Sequence, residues 1–173
     1  MEKLLFLDVE TTGLYDDDRL CQVAFAEYCE DQVLAQEKLF KPPVPMRVDA
    51  SAVNHLTDKM LEKEQPFIGS MMESDLKYKL EDHILVAHNA KFDIEMLSRE
   101  GIEVPKHICT MKVSKKMGET NKHTMQYLRY FHELEVVADA HTADGDVRVL
   151  IALFEHYNKL MSVDEMVGIS EQY

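Results

Sequence analysis

Lys3 to Val9 is an apolar run of strand length, and it ends in Thr11, Thr12 and Gly13, residues that favour a turn. Cys21 to Tyr28 and Gln32 to Phe40 read as two more strands, with a polar Cys29-Glu30-Asp31 corner suited to a hairpin. The first forty residues therefore predict a meander. Beyond it the period changes. Short helices are expected near Ala50 to Val53 and Asp58 to Glu64, and Ser70 to Glu81 places Met71, Met72, Leu76 and Leu80 at helical spacing. Ile84 to Ala87 follows as a buried strand, Phe92 to Arg99 as a helix stopped by Gly101, and Ile108 to Thr110 as a short strand. Met125, Leu128 and Phe131 define another helical face. The longest helix runs from about Thr142 to Leu160, with Val147, Leu150, Ile151 and Phe154 as its apolar stripe, and Ser162 opens a final short helix. Leading strands followed by alternating strands and helices predict an α/β fold, a mixed sheet covered by helices on both faces.

The 173 residues suit one domain spanning 1–173, and the 46% apolar content can supply its core without disulfides. The proline cluster Pro42, Pro43 and Pro45 reads as a loop, not a boundary. The longest apolar run, Val149 to Phe154, is far short of the roughly 20 residues a bilayer requires, so no membrane association is expected. Leu4 to Leu7 is too brief for a signal peptide, and the chain is expected to begin at Met1 without a leader and to be cytoplasmic. Cys21, Cys29 and Cys109 lack the spacing of a disulfide framework or a zinc knuckle and are taken as reduced packing residues. The net charge of −13 argues against a clamp on long duplexes, yet residues 104–132 hold six basic side chains against one acidic.

Three segments carry chemistry. Asp8 and Glu10 lie two apart on an otherwise apolar strand, so they project from one face at its C-terminal end. No neighbouring Lys or Arg in the strand compensates them, and a bound metal would; a capped turn beside one solvated acid is the alternative. In His88-Asn89-Ala90-Lys91-Phe92-Asp93, a strand hands over to a helix, and Asp93 falls in the first helical turn, where a carboxylate can also serve only as a cap. His88 and Asn89 read as loop-stitching residues. In His141-Thr142-Ala143-Asp144-Gly145-Asp146, Asp146 points toward the mouth of the sheet while His141 lies in the preceding loop, either as a proton acceptor or as a structural donor. Asp144 reads as a solvated neighbour.

Taken together, four acids at three strand ends or helix starts, plus one histidine, match the needs of two divalent cations: hard oxygen ligands, balancing charge and a base. The favoured chemistry is in-line attack of water on a phosphodiester. With no cysteine and few histidines near the acids, Mg²⁺ or Mn²⁺ is expected over zinc.

The segments "LFLDVETTGL", "LVAHNAKFDIEML" and "HTADGDVRVL" resemble the three motifs of the DEDDh (DnaQ-like) 3′→5′ exonucleases, in the family's order from residue 4 to residue 150. "HICTMKVSKKM", "NKHTMQYL" and "SVDEMVGIS" are similar to the exodeoxyribonuclease X branch. The resemblance implies a ribonuclease H-like fold with a five-stranded mixed sheet, strand 2 antiparallel. It also implies that Asp8 bridges two metal ions, that Glu10 and Asp146 complete the shell of the first, that Asp93 holds the second, and that His141 is the general base. By the same resemblance, the backbone around Thr11, Thr12, Gly13 and Leu14 receives the 3′-terminal nucleotide, with Leu14 on the last base, and His55 matches a loop that approaches the strand end; Asn89 is also counted among the substrate-binding residues. Asn54-His55-Leu56-Thr57 departs from the His-Gly-Ile that relatives commonly carry.

Lys106, Lys112, Lys115, Lys116, Lys122 and Arg129 could track the phosphates behind the scissile bond, or simply form a solvated helix face. The expected partner is single-stranded or 3′-ended DNA. RNA 3′-end trimming is the rival within enzymes, because no motif reads the 2′-hydroxyl. A binding or proofreading module docked on a polymerase is the third reading; it would predict an added tail or clamp-binding motif, which is not expected here, but the low basic charge keeps it open, with a protein partner possible but not indicated.

Overall fold

The computed structural model describes residues 2–29, 32–136 and 143–172. Its centre is β1 (Leu4–Thr11), whose Leu4 to Leu7 are all buried. A strand buries both faces only where layers cover the sheet on both sides. β1 pairs antiparallel with β2 (Leu20–Cys29) and parallel with β4 (Ile84–Ala87). β3 (Gln32–Leu39) lies antiparallel outside β2, and β5 (His107–Cys109) parallel outside β4, giving the order β3-β2-β1-β4-β5. The expected five-stranded mixed sheet with an antiparallel second strand is present.

Side-chain alternation along β1 divides the core. Leu5, Leu7 and Val9 face one layer, with Met72, Leu76 and Leu80 of α3 (Met71–Leu80) and Met96 and Leu97 of α4 (Ala90–Arg99). Leu4 and Phe6 face the other, built from Val147, Leu150, Ile151 and Phe154 of α7 (Ala143–Asn158) and Met166 and Val167 of α8 (Val163–Glu171). Phe6 meets Phe154 edge to face, with ring centroids 5.3 Å apart. Asp8 and Glu10 have the parity of Leu4 and Phe6, so the alternation directs them toward α7.

Several boundaries differ from the sequence pattern. β1 continues through Glu10 and Thr11, with a register irregularity between them where the chain leaves the ladder. The helices α1 (Val48–Asn54) and α2 (Asp58–Leu61) fall near their expected places, although α2 is shorter. Met71 is not a core residue: it opens α3 and is 88% exposed, whereas Ser70 caps that helix by accepting from the Glu73 N–H. An unexpected helix, α5 (Thr110–Met117), follows β5 directly and stops at Gly118, whose positive φ no longer fits a helix. α6 (Met125–Phe131) buries Leu128. Among the described residues, no helix is long and apolar enough to cross a membrane.

Candidate active site

The C-terminal end of β1 meets the start of α7, and there Asp8, Glu10 and Asp146 each offer a carboxylate oxygen within 4.8 Å of the others. Asp146 is the fourth residue of α7 and is buried; Asp8 and Glu10 are half-buried. Asp93 lies in the first turn of α4, buried at the end of β4 beside β1. It does not join the mutual group of three, but its charge reaches Asp8.

Crowding and burial show in the acidities. Burial raises the Asp8 carboxyl well above the ordinary aspartate value, and the charges of Asp93, Glu10 and Asp146 raise it further. Glu10 is pushed up to about 7, chiefly by burial and by Asp146, with a hydrogen bond from the Asn54 side chain acting the other way. Asp93 is likewise raised by burial, against backbone hydrogen bonds at Asp93 itself and at Val9. Three carboxyls that resist ionisation, gathered with Asp146 at one mouth as an all-oxygen donor set, fit hard divalent cations of the Mg²⁺ and Mn²⁺ type, whose charge would release those protons.

Asp146 accepts a 2.9 Å hydrogen bond from the Gln126 amide of α6. His88 does stitch the loop: its Nε2 donates to the His123 carbonyl at 2.8 Å, which leaves Nδ1 as acceptor toward the Thr110 hydroxyl at 2.9 Å. Burial lowers this imidazole to about 4, so it stays neutral. Asn89 caps α4 in a left-handed conformation, φ 65°, with an exposed side chain that makes no cap hydrogen bond.

Beside Glu10 lies a cleft of about 410 Å³ lined by Thr11, Gly13, Leu14, Tyr15, Arg47, Val53, Asn54 and Phe92 among others. Its wall is a braced loop. Buried Asp18 accepts from the Thr12 hydroxyl at 2.8 Å, the Tyr15 N–H at 2.7 Å and Arg47 Nε at 2.9 Å. Burial alone would raise this carboxyl, yet those donors hold it below the ordinary range. Arg47 also pairs with Asp17 at 2.7 Å and stacks over Tyr15 at 4.5 Å, and Arg99 donates to the Tyr15 carbonyl at 2.6 Å. Gly13 is where this bracing comes closest to the backbone: a Cβ there would stand 2.4 Å from Asp18 Oδ2 and 2.6 Å from Arg47 Cδ.

The residues expected at the substrate separate into groups. Leu14 is 79% exposed on the cleft rim, with Thr11 and Gly13 in its lining. Thr12 is fully buried and spends its hydroxyl on Asp18, so its side chain does not face the cleft. The Thr11 hydroxyl donates to the Gly13 carbonyl at 2.8 Å. His55 ends α1 in a left-handed conformation and is exposed, but its neighbour Asn54, not His55, lines the cleft and donates to the Thr11 carbonyl at 3.1 Å. Lys112, Lys115 and Lys116 line a different groove with Ile169 and Gln172, and Lys112 donates to the Ser170 carbonyl at 2.7 Å. Lys106 precedes β5, at the end of the sheet away from the carboxylates, and pairs with Glu2. His141 lies outside the described residues.

Arg47, Tyr15, Asn54, Phe92 and Gln126 are additions that sequence reasoning missed. Arg47 sat in a proline-rich loop and Asp18 in a run of three aspartates, and neither pattern signals that the two meet across 29 positions. For Asn54, its place beside His55 in a segment already under suspicion was a usable signal.

An open mixed sheet with carboxylates gathered at the C-terminal end of its central strand is the architecture of a ribonuclease H-like nuclease. The exonuclease family model RNase_T matches residues 5–154, and the chain belongs to that DnaQ-like exonuclease family. It is 32% identical over 158 residues to the DNA polymerase III subunit epsilon of Treponema pallidum, covering 85% of this chain and 72% of that protein. It is 28% identical over 184 residues to a DNA polymerase III subunit epsilon-like protein of Rhodobacter capsulatus, 98% of this chain but only 25% of that one. The 3′-5′ exonuclease DinG of Staphylococcus aureus is 25% identical over 167 residues, 89% of this chain and 18% of DinG. Among solved structures, Exonuclease X in complex with 5′ overhanging duplex DNA shares the fold, with a TM-score of 0.81 and 23% identity over 96% of this chain and 99% of that one.

Proposed function

We propose that the protein is a 3′→5′ exonuclease that removes nucleotides from single-stranded or frayed 3′ ends of DNA and releases 5′-mononucleotides. The observation that carries this reading is the convergence of Asp8, Glu10 and Asp146 within 4.8 Å, with Asp93 adding its charge, next to a cleft of nucleotide size. Asp8, Glu10, Asp93 and Asp146 are the residues that would hold two Mg²⁺ or Mn²⁺ ions, which when bound polarise the attacking water and the scissile phosphate.

The chain's own groups divide the remaining work. Leu14, Val53 and Phe92 offer apolar surface to the terminal base, and the backbone from Thr11 to Leu14 seats its sugar. Asn54, placed against both Glu10 and the Thr11 carbonyl, orients the 3′-hydroxyl. Asp18 and Arg47 keep that wall rigid, so the terminal phosphodiester is presented to the carboxylates in one position. Gln126 holds the Asp146 carboxylate in its orientation. His141 is assigned the proton from the attacking water.

The test is a parallel digestion of 3′-labelled and 5′-labelled single-stranded DNA, duplex DNA and RNA of one sequence, with Mg²⁺ and with chelator. Release of mononucleotide from labelled 3′ ends of DNA, abolished by chelator, is expected. Faster loss from RNA would favour 3′-end trimming instead, and metal-independent or 5′-first degradation would overturn the proposal.

A further inference from the structure

A second group of metal-ligating side chains lies apart from the carboxylates. Glu119 in the connection after α5, His132 at the C-terminus of α6 and His156 near the end of α7 each offer one ligand atom, all within 4.8 Å of one another. His132 Nε2 is 3.9 Å from a Glu119 oxygen, and the two imidazoles lie 4.1 Å apart at centroids with an interplanar angle of 33°. The His132 side chain is 6% exposed. His156 Nε2 is buried and has no hydrogen-bond partner among the described residues.

Burying an imidazole nitrogen without a partner is unfavourable, and a native structure that keeps such an atom calls for something else to engage it. No hydrogen bond among the described residues does so here. The donor set also differs in kind from that at the sheet mouth. Two imidazole nitrogens and one carboxylate oxygen suit zinc and its first-row neighbours, whereas an all-oxygen set suits Mg²⁺ and Mn²⁺. Glu119, 43% exposed, leaves an open side for entry and for a water as fourth ligand.

We propose that Glu119, His132 and His156 form a binding site for a divalent transition cation of the Zn²⁺ class, separate from the carboxylate site and sharing no ligand with it. The site is positioning in character. It would pin α6 to α7, and α6 carries Gln126, the donor to Asp146. It stands or falls independently of the exonuclease reading.

Two measurements with Zn²⁺ alone test it. The first is calorimetric titration of metal-free protein carrying Asp8→Asn and Glu10→Gln, which removes competition from the carboxylates. One equivalent of saturable binding is expected, weakened roughly 100-fold or more by adding His132→Gln or His156→Gln, because losing a mere outer partner of a ligand already costs about 10–100-fold in affinity. The second uses the unmutated chain, so that it survives any folding defect in the variants. In ¹⁵N-detected histidine spectra, Zn²⁺ should shift the ring nitrogens of His132 and His156, and Mg²⁺ should not. Binding indifferent to both histidine variants, or ring signals of His132 and His156 that stay fixed through the Zn²⁺ titration, would overturn the proposal.

Discussion

The Gln126 side-chain amide donates to Asp146 Oδ1 across 2.9 Å, so the carboxylate that α7 brings to the sheet mouth is oriented from a different helix. A hydrogen bond to a charged group contributes about 1.5–3 kcal/mol, and 1.4 kcal/mol in a barrier is tenfold in rate. Gln126→Leu should therefore lower kcat roughly tenfold, read by steady-state release of mononucleotide, and lower Tm by several degrees. Wild-type turnover in that variant would show that Asp146 needs no such support.

The raised acidity constants set a pH dependence with a definite sign. Between an unfolded value near 4.5 and a folded value of about 7, Glu10 keeps in the native state a proton that the unfolded chain has lost. The stability of the metal-free protein should thus fall as pH rises through that window, with Asp8 and Asp93 acting in the same direction. Melting curves in chelator at a series of pH values check this. Glu10→Gln should flatten the slope, and a Tm that climbs from pH 4.5 to 7 in the parent protein would contradict the assignment.

Divalent ions should reverse that loss. At a free concentration 100 times its dissociation constant, a ligand confined to the folded state adds about 2.7 kcal/mol. Mg²⁺ or Mn²⁺ should raise Tm at neutral pH, and Asp8→Asn should remove most of the rise. An unchanged Tm across a full titration would leave the carboxylates without a cation.

Gly13→Ala introduces a methyl group 2.4 Å from Asp18 Oδ2 and 2.6 Å from Arg47 Cδ, so the bracing of the loop must open. Forced overpacking costs about 1–3 kcal/mol. Because this loop walls the cleft and holds none of the carboxylates, the expected signature is a lower Tm and a raised KM, with kcat less affected. Kinetics matching the parent in both constants would mean that the wall plays no part in seating substrate.

His141→Ala should slow hydrolysis by roughly 10²-fold or more, the ordinary contribution of a positioned base, while the Mg²⁺-dependent rise in Tm persists. Unchanged turnover would remove His141 from the mechanism.

Asp8 and Glu10 are legible in the sequence alone, because two acids at strand period on an apolar strand violate the pattern around them. The sheet, too, was legible: Leu4 to Leu7 and Ile84 to Ala87 are short apolar runs of the kind that only a doubly covered sheet accommodates. α5 was not, since Lys112, Lys115 and Lys116 obscure its short apolar face and no side chain caps its start. Met71 misled, because an apolar residue next to a helix start can satisfy the period and still lie outside the core.

Local sequence, through side-chain periodicity and charge placement, determined which elements form and which acids lack a local partner. Tertiary structure alone decided that Gln126 meets Asp146, that Arg47 locks onto Asp18, that the lysines of α5 face another groove, and that Glu119 approaches His132 and His156. The reason is physical: periodicity acts over a few residues of one chain segment, whereas these encounters are fixed by how whole helices pack on the sheet.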